Sequence, residues 1–250
     1  MRAAHDPVRA RPAILGLLHP RGQGRLAAGL LLAGLLLGWL AVTRLAAPVW
    51  LAAALTPLLL LAPALRKWHA DRRTLGWRLT VLSVLLVAQG LHTVEHLAQF
   101  AQYHLLGWPL RAASGLISPL NAEVVHFVWN WAVVLTVYGL LWAGLHRSWM
   151  WLLFAWATAH TAEHTYMFLR YVQSGGVQGL PGILGAGGWL AQHAEASPPL
   201  SFVCMLAPGL VSAPRLDVHF WWNIGEIVLL VLAAQQAMSR SRIHRARRSE

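Results

Sequence analysis

Residues 79–100 read LTVLSVLLVAQGLHTVEHLAQF, and this stretch sets how the rest of the chain is read. Its first half is apolar apart from Thr80, Ser83 and Gln89, while its second half carries His92, Glu95 and His96. A helix of about 20 mainly apolar residues spans a bilayer. An ionisable group inside such a span costs roughly 2.5–3.5 kcal/mol on insertion scales and persists when it is paired, metal-bound or functional. The stretch therefore predicts a transmembrane helix with a polar site in one half.

The flanking sequence repeats the apolar pattern. Together with 75–100, the stretches 26–47, 48–65, 121–145, 149–172 and 216–238 predict six spans and an all-α, polytopic membrane helix bundle. The 48–65 span is short and is expected to kink at Pro57 and Pro63. Of the 250 residues, 57% are apolar and only 12% charged. Soluble domains run at about 45–50% apolar with glycine counted, and about 25% charged. This composition excludes an ordinary soluble enzyme and a disordered chain. The lone Cys204 excludes an internal disulfide framework and a multi-cysteine zinc or iron–sulfur site.

The net charge of +11 is unevenly placed. With the N-terminus inside, segments 1–25, 66–74, 146–148 and 239–250, plus Arg78 at a span end, hold 16 of the 20 Lys and Arg residues. Arg44, Arg111, Arg170 and Arg215 are left outside. That is a positive-inside pattern with both termini cytoplasmic in a cell membrane. The partner it implies is the lipid bilayer and not nucleic acid, since no basic face is interleaved with aromatics. The basic lead and Leu/Ala/Gly core of the first span also resemble a signal peptide. The chain divides into a basic tail 1–25, a two-helix unit 26–74, units 75–145 and 146–238, and a basic tail 239–250.

The two central units resemble each other. His92-Thr93-Val94-Glu95-His96 recurs as His160-Thr161-Ala162-Glu163-His164, followed at equal spacing by Phe100 and Tyr103 or Phe168 and Tyr171. Val125-His126-Phe127-Val128-Trp129-Asn130 recurs as Val218-His219-Phe220-Trp221-Trp222-Asn223. The pattern H-T-x-E-H-x3-F-x2-Y, loop, V-H-F-x-W-N predicts two repeats of parallel topology, related by an axis along the membrane normal. The second copy has the longer loop, 173–215, which is rich in glycine. It lacks the Lys-Ser/Thr of a phosphate cradle, and reads either as a flexible segment or as a lid over a site below it.

Positions i, i+3 and i+4 of a helix share a face. His92, Glu95 and His96 therefore project together, as do His160, Glu163 and His164. His126 and Asn130 form one stripe near Glu123, and His219, Asn223 and Glu226 form another. All four clusters fall in the outer half of the bilayer under the charge-based topology. The expected metal ligands are His92, Glu95, His96, His126, His160, Glu163, His164 and His219. Asn130, Asn223 and Glu226 are expected to orient them. Glu95 and Glu163 are also candidate catalytic groups, and Tyr103 and Tyr171 are candidate relays at the mouth. His104 and His193 lie on the outer side within reach of such a site. His5, His19, His69, His146 and His244 belong to tails or loops, and Cys204 reads as a small loop hydrophobe.

So many donors exceed the four that a tetrahedral zinc takes. They suit two divalent metal ions, with iron first and zinc or copper next. Haem needs only one or two axial histidines and leaves the carboxylates unexplained. The His-rich apolar setting is chemically similar to that of membrane desaturases and hydroxylases. His92/His96 and His160/His164 match their H-x3-H boxes, but the H-x-x-H-H boxes are absent. The expected function is an oxidoreductase acting on an apolar or lipid-like substrate. One alternative is a zinc-dependent membrane hydrolase with Glu95 or Glu163 as general base. Another is metal transport, sensing or delivery. Self-association of the chain is left open.

Overall fold

The computed structural model describes residues 13–194 and 197–246, with side chains through residue 239. The outer parts of both basic tails, with His5 and the His244 side chain, lie outside the described residues. The regular structure of the described residues is all helical, without strands. A short turn of helix, α1 (Leu15–Leu18), precedes three long helices: α2 (Gly24–Leu45), α3 (Val49–Leu75) and α4 (Trp77–Phe100). The last continues as a π-helix over Ala101–Leu105. After a loop ending in the 3-10 turn Ser118–Asn121 come α5 (Glu123–Trp142) and α6 (Ser148–Gln173). Three short helices, α7 (Trp189–His193), α8 (Pro198–Leu206) and α9 (Gly209–Ser212), lead to α10 (Arg215–Ala246).

Among the described residues, five segments are long and apolar enough to cross a membrane: α2, α3, α4 with its π-helical end, α5 and the part of α10 up to Ser239. The sequence predicts six. The remaining long helix, α6, has 26 residues but is less apolar, because His160, Thr161, Glu163, His164, Thr165 and Arg170 fall within it.

The boundary at 65 is a second difference. The basic segment 66–74, expected to be a loop, forms the last turns of α3. Its two buried charges, Lys67 and Asp71, are satisfied within the fold. Lys67 and Asp71 pair across one helical turn, Arg21 Nε donates to Asp71 Oδ1 at 2.8 Å, and Lys67 Nζ donates to Ser83 Oγ at 2.9 Å. Gly76, at φ +84°, then turns the chain into α4.

α2 packs on α3 through small residues, with Gly34 against Thr56 and Gly38 against Ala52. α3 leans on α4. The remaining helices form a four-helix group in which α5 packs on α6, α6 on α10 and α10 on α4, while α4 and α5 meet mainly through long side chains such as His92, His126 and Trp129. Each copy of the sequence pattern thus pairs with the other copy. Phe100 stacks on Phe220 with ring centres 4.2 Å apart, and Phe127 stacks on Phe168 at 4.3 Å.

The group has two different ends. At the end carrying Arg78, Trp142 and Met150, the interior is apolar: Leu82, Leu86, Val137, Leu140, Leu153 and Leu230 are buried together. Toward the opposite end, the same four helices bury His96, His126, His164, His219, Asn130 and Asn223. The described residues of the long segment, 174–194 and 197–214, close over this polar end. Gly185 N–H donates to Leu210 O at 2.7 Å, Ala186 N–H to Ala213 O at 2.8 Å, and Leu190 of the segment is buried. This is the arrangement of a lid.

Candidate metal centre

The i, i+4 spacing places His92 and His96 on the inner face of α4, and His160 and His164 on that of α6. α5 adds His126 and α10 adds His219. The six imidazoles form one continuous cluster. On one side, ring centres are 4.7 Å apart for His92–His96, 5.4 Å for His92–His126 and 5.5 Å for His96–His126. On the other, His160–His164 is 4.9 Å and His164–His219 is 4.8 Å. The halves meet where His126 lies flat on His164, 5.1 Å between centres and 9° between planes.

The first half has a chelating geometry. One ring nitrogen from each of His92, His96 and His126 lies within 4.8 Å of the others. His96 Nε2 and His92 Nε2 are 3.3 Å apart. His126 turns Nδ1 toward the Ala122 carbonyl oxygen at 3.3 Å, which leaves Nε2 for the cluster.

The second half is defined by unpaired atoms. His160 Nε2, both nitrogens of His164, His219 Nε2 and Glu226 Oε1 are buried without a hydrogen-bond partner among the described residues. A buried polar atom left so costs about 1–3 kcal/mol. A divalent cation takes up imidazole lone pairs and a carboxylate oxygen together, so the chemistry of this donor set suits a metal, while the chelating distances are met among the described residues by His92, His96 and His126 alone. Glu226 Oε2 lies 2.7 Å from His160 Nδ1, the carboxylate–imidazole arrangement that fixes a ligand's ring. Replacing Glu226 by glutamine should weaken metal binding about 10–100-fold, read by competition with a chromophoric chelator. Unchanged affinity would leave Glu226 a space-filling group.

The structure does not bring Glu95 and Glu163 into the cluster. Glu95 accepts Leu116 N–H at 2.7 Å on Oε2, and Ile117 N–H at 3.1 Å on Oε2 and 3.2 Å on Oε1. Glu163 accepts Ile183 N–H at 3.0 Å on Oε1 and Leu184 N–H at 3.2 Å on Oε2. Each carboxylate clamps two consecutive amides of the loop above its own helix. These charge-assisted bonds offset the desolvation of a buried carboxylate. Glycine makes the approach possible in both loops: a Cβ at Gly115 would overlap the Glu95 carboxylate, and one at Gly182 the Glu163 carboxylate.

Gly115-Leu116-Ile117 and Gly182-Ile183-Leu184 are therefore a third matching block, in the same order within both copies. Sequence reasoning missed it because the residues are common ones. The signal available was the Gly-aliphatic-aliphatic triplet between the H-T-x-E-H and V-H-F blocks.

Other expected residues sit around the cluster. Asn130 Nδ2 donates to His126 O and Asn223 Nδ2 to His219 O, both at 2.9 Å. Asn223 Oδ1 accepts Gln89 Nε2 at 3.3 Å, and Gln89 Oε1 accepts Trp129 Nε1 at 2.9 Å. Gln89 is thus a floor residue that the spacing argument did not select. Tyr103 lies on the π-helix against His104, and Tyr171 lies under Gly176. Neither phenol bonds to a cage histidine among the described residues. His104 Nε2 is engaged by Asp217 at 2.6 Å and His193 Nδ1 by the Trp189 carbonyl at 2.7 Å, so neither joins the cluster. Arg215, unassigned from sequence, donates to Glu123 Oε1 at 2.6 Å and ties the start of α10 to that of α5. Cys204 is buried in α8.

No family model matches the chain, and no curated protein or solved structure matches it either, so the histidine cluster itself carries the functional reading.

Proposed function

We propose that the protein is an integral membrane metalloprotein in which α6 is the sixth span and the six-histidine cluster holds two divalent metal ions. His92, His96 and His126 would hold one. His160, His164 and His219, with Glu226 behind or beside them, would hold the other. The observation that carries this is the cluster of six imidazoles on four facing helices, with three close-set ring nitrogens on α4 and α5 and buried nitrogens without hydrogen-bond partners among the described residues on α6 and α10. The packing of α6 between α5 and α10 supports its assignment as a span. Its polar residues His160, Thr161, Glu163 and His164 are buried inside the protein.

The activity we propose is oxidation of an apolar, bilayer-borne substrate, with dioxygen as oxidant and iron as the first choice of metal. Bound iron or copper supplies one-electron redox chemistry and affinity for dioxygen. The chain supplies the rest. Glu226 holds the His160 ring, and the Asn130 and Asn223 amides brace the turns that carry His126 and His219. The lid, held down by Glu163, keeps bulk water from the outer end. A hydrolase would need a free carboxylate to take a proton from water. Glu95 and Glu163, the carboxylates expected to serve as that base, are committed to loop amides, which leaves the hydrolase only Glu226 and favours the oxidoreductase. The interior below the cluster, from Leu86 to Leu140, is apolar and unsuited to carrying a transported ion.

The basic segments at the far end of the helix group support cytoplasmic termini and a cluster toward the outer face. Elemental analysis of detergent-purified protein should find two equivalents of iron, copper or zinc per chain. An optical spectrum that changes between air and dithionite, without a Soret band, is expected for iron or copper. Metal-free protein that takes up none on reconstitution overturns the proposal. Two redox-silent zincs would turn the reading toward the hydrolase.

A further inference from the structure

The two halves of the cluster differ in access. His160, His164 and His219 are buried, whereas His92 remains partly exposed. What His92 faces is a cavity of about 870 Å³ between the α2–α3 hairpin, α4, α5 and the 116–120 loop. Trp39 and Val42 of α2, Ala53 of α3, Ala88 of α4 and Leu120 of the loop represent its apolar lining. Trp129 lies in the wall next to His92, with ring centres 5.3 Å apart. The polar side chains there are few. Glu95 is engaged by the loop amides, and Thr43 Oγ1 donates to Trp39 O at 2.8 Å. Besides the Thr56 hydroxyl, which packs at Gly34 on the α2–α3 wall, this leaves the His92 imidazole as the polar group an occupant would meet. The size falls within the roughly 300–1,000 Å³ usual for small-molecule sites.

α2 rests mainly on α3, and neither contributes a residue to the histidine cluster. A comparable hollow on the second half, between α5 and α6, is lined by Trp131, Leu135, Tyr138 and Thr165 and reaches no histidine among the described residues.

We propose that this cavity is the substrate pocket: it takes the hydrocarbon chain of a membrane lipid and presents it to the His92 side of the cluster. The pocket rests on reading the cluster as a metal centre. Its walls lie on apolar spans, so solutes of the bilayer reach it before solutes of water do. Its lining matches an alkyl or isoprenoid chain and not a charged or sugar-like molecule. The pocket makes the two metal subsites unequal, with the one on His92, His96 and His126 facing the substrate and the other closed behind it.

The test uses the full chain in phospholipid nanodiscs with a diazirine-bearing long-chain fatty alcohol as photoprobe, read by peptide mapping and metal analysis. In the unaltered protein, labelling should concentrate on α2, α3 and residues 88–95 and 116–120. Ala53→Phe, and separately Ala88→Leu from the facing wall, should lower that labelling about tenfold while metal content stays the same. Labelling spread evenly over lipid-facing residues, or unmoved by both substitutions, overturns the pocket. If labelling concentrates and is blocked but the protein binds no metal, the pocket stands and the metalloprotein reading fails. If metal is bound but neither substitution blocks labelling, the metal centre stands and the pocket fails.

Discussion

Replacing His164 by alanine is expected to abolish metal binding at the second half of the cluster and to halve the metal content of the purified protein. Neither nitrogen of this imidazole has a hydrogen-bond partner among the described residues, and its ring touches His126, His160 and His219. It is the centre of the group, so its loss removes a ligand that no nearby side chain replaces. His96→Ala should do the same to the first half, since His96 contacts His92, His126 and His219. The double variant should hold no metal. Even second-layer changes typically lower metal affinity about 10–100-fold, and loss of a direct ligand exceeds that. Elemental analysis across the four proteins is the measurement. Full metal content in His164→Ala would show that the unpaired nitrogens are not ligands. Truncating a core imidazole leaves a void, so each variant should also be checked for insertion and for a single size-exclusion peak.

The second large effect is expected at the loop clamps. Gly182→Val would drive a side chain into the Glu163 carboxylate, and the loop would have to leave its two amide contacts to accommodate it. The buried carboxylate would then lose its partners, which costs about 1–3 kcal/mol and more for a charged group. The expected outcome is a thermal transition lowered by several degrees and faster proteolysis within 174–194. Glu163→Gln should give a milder form, since one oxygen still accepts while the second position becomes a donor facing an amide N–H. Both variants should retain metal, because the carboxylate points to the loop and not to the imidazoles. Loss of metal with an intact loop in Glu163→Gln would restore Glu163 as a ligand. Gly115→Val tests the matching clamp on Glu95. It carries the added strain of a left-handed backbone, φ +86°, where a β-branched residue is disfavoured.

The difference between Glu and His within one motif shows where spacing arguments stop. H-T-x-E-H puts His92, Glu95 and His96 on one side of α4, and periodicity alone makes all three look like ligands of one centre. A helical face is wide, however, and a glutamate side chain reaches toward whichever donors surround it. The donors that decide the matter are the Leu116 and Ile117 amides, about twenty residues downstream in a loop without helical periodicity. Nothing in the local pattern says where that loop will lie. The same holds for Gln89, whose partners Trp129 and Asn223 come from two other helices.

Residue pattern was enough to settle the helical class, most of the helix positions and the inward face of each histidine pair. These follow from runs of apolar residues and from the turn of an α-helix, both local properties. The order of the two copies was equally plain, because rare residues recur at fixed spacing. It took the packed fold to show that each copy packs against the other, that α3 runs on through its basic turns, and that the carboxylates hold loops while the imidazoles meet. The fold also leaves His92 open to a cavity under the α2–α3 hairpin. Each of these depends on contacts between residues distant in the chain, where shape and unpaired donors choose among partners that local periodicity treats alike.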